Sequence, residues 1–268
     1  MHFEEALICP VCGAPLRKEE QSLLCPARHT FDLSRRGTVQ LLQGHAAAHG
    51  DNREMIEARS RFLEGGYYVP LREEMTRLAM NHLPPACRLL DAGCGEGYYT
   101  AALSAAFPAG EMLAFDVSAE AIRFAARRKC GFFFTASAYA IPVRSESIDG
   151  VFCLFAPLAA AEFHRVLRPG GKLFLAVPDR RHLWGLKQVL YPTPYENEVA
   201  KEPPAGFALL EDRAVAGTIT LQTPQAIRDL FAMTPYAYRT PHAGREALAA
   251  LQTLQTPIAF RAFCYKKQ

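Results

Sequence analysis

The stretch Arg88 to Leu103, RLLDAGCGEGYYTAAL, constrains the fold of this chain more than any other. The apolar pair Leu89-Leu90 reads as a buried strand, alternate glycines at 93, 95 and 97 as a tight turn, and Tyr98 as the start of a helix. Strand, glycine turn and helix form the first unit of a doubly wound sheet, whose ligands lie outside the carboxyl ends of the strands. Glycine is needed where a ligand rests on backbone, because a side chain would fill the space. The spacing is D-x-G-x-G-x-G. A dinucleotide fingerprint, G-x-G-x-x-G, would need glycine where Tyr98 stands, so the turn suits a cofactor without phosphates.

The pattern continues downstream. EMLAFDVS predicts a strand ending in Asp116, a carboxylate placed to accept hydrogen bonds from both ribose hydroxyls. AEAIRFAARRK predicts an amphipathic helix and CGFFFTASA a third strand. A fourth strand follows over 148–155, a helix over 158–167, the Pro169-Gly170-Gly171 turn and a fifth strand over 172–177. Beyond Tyr191 the chain is Pro-rich and irregular until GTITLQT; two helices and PIAFRAFCYKK then complete the sheet with an antiparallel edge. Ahead of the glycine turn, REMIEARSRFLEGG predicts a helix capped by Asp51 or Asn52, and YYVPLREEMTRLAMNHLPP a second one stopped at Pro84-Pro85.

The front end carries a different chemistry. Cys9 and Cys12 form a C-x-x-C pair, and Cys25 and His29 a second pair. A tetrahedral Zn(II) takes four such ligands, and a closed set leaves no position for substrate, so the ion would be structural. Coincidence of two unrelated turns is the plain alternative. Between the pairs, Gly13 and Pro15 suit a turn, Arg17 to Glu20 a charged tip and Leu23-Leu24 a returning strand. From Thr30 to Gln43 the chain is strand-like, with alternation at Val39 and Leu41; HAAAHGDN then reads as a linker, with His45 and His49 more simply solvated than ligating. These boundaries predict a zinc-ribbon module over 1–43, a linker and helical lead-in over 44–84, and a catalytic domain over 85–268.

Composition limits the remaining classes. Half of the 268 residues are hydrophobic, enough to bury one large core or a moderate core with a small satellite. The front end lacks a basic start and apolar middle, and no apolar run is long enough to cross a bilayer, so a cytoplasmic protein with no membrane partner is expected. Of the eight cysteines, Cys87, Cys94, Cys130 and Cys153 lie in predicted core elements and read as reduced thiols. A net charge of +3 does not announce nucleic acid by itself; local clusters such as Arg35-Arg36, Arg127-Arg128-Lys129 and Arg180-Arg181-His182 matter more.

LLDAGCGEGYY, LAFDVS and EFHRVLRPGGKLFLAVP resemble successive motifs of the class I S-adenosylmethionine-dependent methyltransferases, over about half the chain. The resemblance implies an α/β, Rossmann-like doubly wound sheet with the ribbon in front. It also implies that Asp91, Gly93, Gly95 and Gly97 surround the methionine portion of the cofactor, that Asp116 holds the ribose, and that Ser137 and Ala138 line the adenine. Many relatives carry aspartate at the position of Ser137. Tyr98, Tyr99 and Phe155 complete the implied cofactor set.

With the Cys9-Cys12-Cys25-His29 ribbon, HTFDLSRRGTVQLL, MIEARSRFLEGGYYVPLRE and MTPYAYR, the chain resembles along nearly its full length the bacterial 23S ribosomal RNA guanine-N(1) methyltransferases. That resemblance implies methylation of a guanine in a hairpin loop of 23S ribosomal RNA, a structural Zn(II) and a ribbon that recognises RNA. Unstacked loop bases could stack on Tyr67, Tyr68, Tyr98, Tyr99, Phe155, Trp184, Tyr236 or Tyr238, and phosphates could meet Arg28, Arg35 and Arg36. Guanine N1 must lose a proton. His182 has a suitable intrinsic pKa and is the expected general base, with Asp179 and Glu96 as alternatives, while His164 reads as structural. A homodimer is a candidate assembly, since a symmetric pair offers a two-sided cleft. Competing readings are a small-molecule methyltransferase of the quinone-precursor type, which shares the EFHRVLRPGG motif, and a binding protein that keeps the pocket without catalysis.

Overall fold

Period-two burial explains the central sheet of the computed structural model, which describes residues 3–44, 51–199 and 202–268. His45 and His49 lie outside the described residues. In the strand Ile148–Leu154 (β8), Phe152 and Leu154 enter the core on one face, while Val151 and Cys153 enter the core on the other. The flanking strands β5 (Arg88–Ala92), β6 (Glu111–Asp116), β7 (Phe132–Thr135) and β9 (Leu167–Pro178) are likewise apolar on both faces, as parallel strands covered by helices must be. With β4 (Val39–Gln40), β10 (Phe207–Leu221) and β11 (Leu254–Lys267) they form an eight-stranded sheet in the order β10-β11-β9-β8-β5-β6-β7-β4. β10 and β11 run antiparallel at one edge.

One face is covered by α1 (Arg53–Glu64), α2 (Val69–His82), α3 (Tyr98–Ala106), α6 (Trp184–Leu190), α7 (Pro224–Ala232) and α9 (His242–Ala250), packed through Phe62, Met75, Phe152, Phe174 and Phe260. Asn52 caps α1 by accepting from the Met55 N–H at 3.0 Å. α4 (Ala119–Ala125), α5 (Ala160–Val166) and the short α8 (Tyr236–Arg239) complete the helices named here.

The front hairpin, β1 (Arg17–Glu19) and β2 (Ser22–Leu24), pairs with β3 (Thr30–Asp32) in a separate three-stranded sheet. The single strand-like segment expected over 30–43 is broken at Gly37 (φ +75°), so that β3 stays with the hairpin while β4 crosses to lie parallel to β7. Leu7, Leu16, Leu23, Val39 and Leu41 share one core with Phe134 of β7 and with Ile141 and Val143 in the segment after it. Two further strands differ from expectation. β9 begins at Leu167 because Leu167 already pairs with Ile148, the Pro169-Gly170-Gly171 segment being taken up as an irregularity before the ladder resumes at Lys172, and β10 begins at Phe207 because an edge strand exposed along most of its length lacks the apolar alternation that would announce it.

Candidate active site and metal centre

The glycine turn is folded onto the end of β6. Gly93 and Cys94 N–H groups both donate to the Phe115 carbonyl at 2.9 Å, and Gly95 and Ser118 N–H groups donate to the two carboxylate oxygens of Asp116 at 3.0 and 2.8 Å. Gly93 is in the left-handed region (φ +81°), and a Cβ there would stand 2.5 Å from the Ala156 Cβ. The turn therefore lies flat between the ends of β5 and β8. Asp91, at the end of β5, is buried and accepts from the Thr100 hydroxyl at 2.6 Å.

This site is acidic. Burial raises Asp91 to about 7, and it raises Glu96 and Asp116 as well, with the charges of the neighbouring carboxylates adding to the effect on Asp91. Arg59 of α1 is the counterion: burial works against its charge, but the carboxylates of Asp51, Glu96 and Asp116 hold it, and its guanidinium is paired with Asp51. Glu96 Oε1, Tyr99 Oη and Thr135 Oγ1 are buried without a hydrogen-bond partner among the described residues. Buried polar atoms are seldom left so. These groups, Glu96 facing only the Arg128 guanidinium at 4.0 Å, lie near a flat glycine floor with Asp116 at its edge and fit S-adenosylmethionine, which brings an ammonium, a sulfonium, ribose hydroxyls and an adenine amine. Ser137 sits just beyond β7, its hydroxyl accepting from the Tyr139 N–H at 3.2 Å, with Ala138 beside it. Tyr98 faces away from the turn, its ring under the Arg72 guanidinium (5.1 Å) in a groove of about 620 Å³ between α2 and α3.

On the opposite side of β5 from Asp116 stands an aromatic group. Phe155 follows β8 at φ +59°, a strained conformation for a bulky residue, and remains 45% exposed. Its ring lies 5.6 Å from Phe260 and 6.5 Å from Tyr68. His182 is only 5% exposed; its Nδ1 accepts from the Ala259 N–H at 3.2 Å and its Nε2 lies 3.1 Å from the Tyr68 hydroxyl. Burial, and secondarily the charge of Lys187, push His182 down to about 3, so the ring is neutral at physiological pH. A neutral ring whose Nδ1 accepts carries its proton on Nε2. Both nitrogens are thus engaged inside the protein. Asp179, the other strand-end candidate, accepts from the Arg180 N–H on the surface.

The metal-ligand expectation places four side chains in one cluster. The ligand atoms of Cys9, Cys12, Cys25 and His29 all lie within 4.8 Å of one another. The Cys12–Cys25 sulfurs are 3.7 Å apart, and His29 Nδ1 is 3.5 Å from Cys9 Sγ and 3.3 Å from Cys25 Sγ. A tetrahedron with metal–sulfur bonds of about 2.3 Å and metal–nitrogen bonds of about 2.0 Å has edges of roughly 3.8 and 3.5 Å, so the donor set fits Zn(II). Although burial opposes it, the backbone of His29 and contacts with Cys12 and His29 lower the Cys25 thiol to about 7, which favours the thiolate a metal requires.

Two features escaped the sequence. Arg59 sits on the apolar stripe of α1 between Ile56 and Phe62, where its spacing reads as one more core position; a charge on such a stripe was the available signal. The coupling of Tyr68 to His182 joins residues far apart in the chain, and no local pattern reports it.

Fold, glycine floor and cysteine cage together define a class I S-adenosylmethionine-dependent methyltransferase with a zinc ribbon. A family described as methyltransferase domain matches residues 89–171, and one described as RlmA, N-terminal, a zinc ribbon, matches residues 7–46. A 23S rRNA (guanine(748)-N(1))-methyltransferase of Streptomyces fradiae is 36% identical over 69% of this chain and 67% of its own. YxjB of Bacillus subtilis, which carries the name of a 23S rRNA (guanine-N(1)-)-methyltransferase, is 33% identical over 87% of both chains. The solved structure of YcgJ from the same species shares the fold at 17% identity, with a TM-score of 0.51 over 73% of this chain and 99% of that one. This chain belongs to the 23S rRNA (guanine-N(1)-)-methyltransferase family.

Proposed function

We propose that this protein methylates the ring N1 of a guanine in a hairpin loop of 23S ribosomal RNA, in the cytoplasm, with residues 1–43 selecting the RNA, residues 44–84 serving as linker and helical lead-in and residues 85–268 carrying out the transfer. The observation that carries the proposal is the attachment of the ribbon to the catalytic sheet: β4 is hydrogen-bonded to β7, and the Leu41 N–H donates to the carbonyl of Thr135 at the β7 end, so a substrate held by one is registered against the other.

Bound S-adenosylmethionine supplies an electrophilic methyl on a sulfonium. For the chain's own residues, we assign Gly93, Gly95 and Gly97 to the floor, Asp91 and Glu96 to the methionine end, Asp116 to the ribose and Ser137 and Ala138 to the adenine. Tyr99 backs the turn from within. Arg59 balances the carboxylates and closes the site from α1. With ribose and adenine assigned to the β6 and β7 side, the crevice that would remain for an acceptor lies toward β8 and β9, where Phe155 offers an exposed ring on which a splayed guanine could stack. His182, expected as the general base, has no free lone pair there and is reassigned to positioning.

The quinone-precursor reading rests on EFHRVLRPGG, which forms α5 and the start of β9 and packs Phe163, Val166 and Leu167 into the core rather than the crevice. It leaves the ribbon without a use. A symmetric pair of copies, with two crevices facing one cleft, belongs to the proposal and is read by analytical ultracentrifugation with and without RNA. Labelled methyl transfer to unmodified 23S ribosomal RNA, followed by primer-extension mapping, tests the central claim: a stop at a loop guanine is expected, and no incorporation by the wild type ends it.

A further inference from the structure

We propose that Tyr68 donates a hydrogen bond to the carbonyl oxygen of the acceptor base, and that His182 is the positioning residue which frees the Tyr68 proton to do so. The inference rests on the guanine reading above and adds to it a group that touches substrate.

The argument begins at the backbone of β11. Ala259 N–H can only donate, so Nδ1 of His182 can only accept. In a neutral imidazole the proton then sits on Nε2, and that N–H donates to the Tyr68 oxygen. The tyrosine hydroxyl has one hydrogen, and the histidine has no lone pair left to receive it. Among the described residues no other acceptor reaches it. Tyr68 is 3% exposed, so its proton is a buried donor held without a partner, a condition folded proteins avoid unless a ligand completes it. Around it stand Phe62, Phe155, Phe260 and His182, which leave the hydroxyl as the polar point of an apolar wall.

Its position suits the acceptor. Phe155 is both the exposed rim of this wall and the residue next to Ala156, against which the glycine floor rests. A base stacked on Phe155 would stand near Tyr68, whose ring centre is 6.5 Å from that of Phe155. The N1 proton passes first to solvent water, which leaves an anion whose negative charge is shared between N1 and the carbonyl oxygen; N1 then takes the methyl carbon, the N–C bond forming as the carbon–sulfur bond breaks with its electron pair staying on sulfur. A preplaced O–H donor in a dry wall stabilises the charge on the carbonyl oxygen in the anion and in the transition state that follows it. Burial drives the Tyr68 hydroxyl far above its ordinary range, so it acts as donor and not as base.

The test uses full-length protein, 23S ribosomal RNA and a loop substrate carrying 6-thioguanosine at the mapped position, since sulfur accepts hydrogen bonds weakly. Tyr68→Phe is expected to lower kcat about 100-fold, the scale set by removal of one oxyanion donor, with KM for RNA and calorimetric affinity for S-adenosylmethionine unchanged. The thio substitution is expected to slow the wild type but not Tyr68→Phe. His182→Gln is expected to lower kcat, and the double variant to fall no further than Tyr68→Phe alone. Undiminished turnover by Tyr68→Phe, equal sensitivity of both proteins to sulfur, or additive losses in the double variant overturns the assignment. A wild type inactive on the oxygen-bearing RNA instead overturns the guanine reading itself.

Discussion

At the scale of single residues, the cofactor crevice is organised by charge. Asp91, Glu96 and Asp116 all titrate above the ordinary carboxylate range, burial being the main cause for each, and Arg59 from α1, with Arg128 beside Glu96, stands against them. S-adenosylmethionine carries one net positive charge and its demethylated product none, so the site favours the substrate form and releases the product. For Asp91 the folded-state pKa, about 7, lies above its unfolded value, so the folded protein binds more protons between about pH 4 and 7 and its stability falls as pH rises through that window. A cationic ligand lowers these carboxylates again and so expels protons. Calorimetry at pH 6.5 in buffers of different ionisation enthalpy is expected to show proton release on S-adenosylmethionine binding, with affinity rising toward pH 8; proton uptake would contradict this. Gly93→Ala is the steric counterpart. Its Cβ meets Ala156 at 2.5 Å in a left-handed backbone, so a cost of about 1–3 kcal/mol and loss of measurable cofactor binding are expected in chemical denaturation and calorimetry.

At the scale of elements, the ribbon and the catalytic sheet are one packing unit. Ile8 N–H donates to the Pro142 carbonyl at 3.0 Å, Leu7 bridges Val143, and Leu41 is buried beside β7. Leu41→Ala, some distance in sequence from both sites, is expected to cost about 2–5 kcal/mol and to move a single unfolding midpoint seen alike by tryptophan fluorescence and circular dichroism. Two separated transitions would show the ribbon to be independent. The strands from β5 to β8 were legible in the chain because each is a short apolar run, those from β5 to β7 closed by glycine, aspartate or serine, and several helices because of their caps and prolines. β4 was not, since two residues carry no period and its membership of the larger sheet is a long-range fact. The same holds within the site. Asp116 and the glycines announce themselves by spacing, whereas the partners of His182, Tyr68 and Ala259, are contacts that only the folded chain brings together.

At the scale of the whole molecule, the question is how a chain with a net charge of only +3 holds a polyanion. The charge is concentrated where it is needed. Arg17, Lys18, Arg28, Arg35 and Arg36 are all exposed on the ribbon, and none of them forms an ion pair among the described residues, while most arginines of the catalytic sheet and its helices are tied to carboxylates. Free surface cations release counterions on meeting phosphates, so binding should weaken steeply with salt, each phosphate contact adding roughly 0.7 to 0.9 to the slope of log affinity against log salt. Arg35→Ala with Arg36→Ala is expected to lower that slope by about 1 to 2 while leaving the choice of guanine, mapped by primer extension, unchanged, because phosphate contacts carry no sequence information. Metal removal should act on the same surface by another route. Without an ion, the Cys9-Cys12-Cys25-His29 cluster no longer ties the two ends of the β1–β2 hairpin to one point, and the five cations lose their fixed arrangement. Chelated protein, or Cys9→Ser, is therefore expected to lose RNA affinity and its salt slope together, yet to keep calorimetric binding of S-adenosylmethionine, whose proposed contacts lie on β5 to β7. Equal loss of both ligands would mean that the ribbon supports the crevice and does not read the RNA.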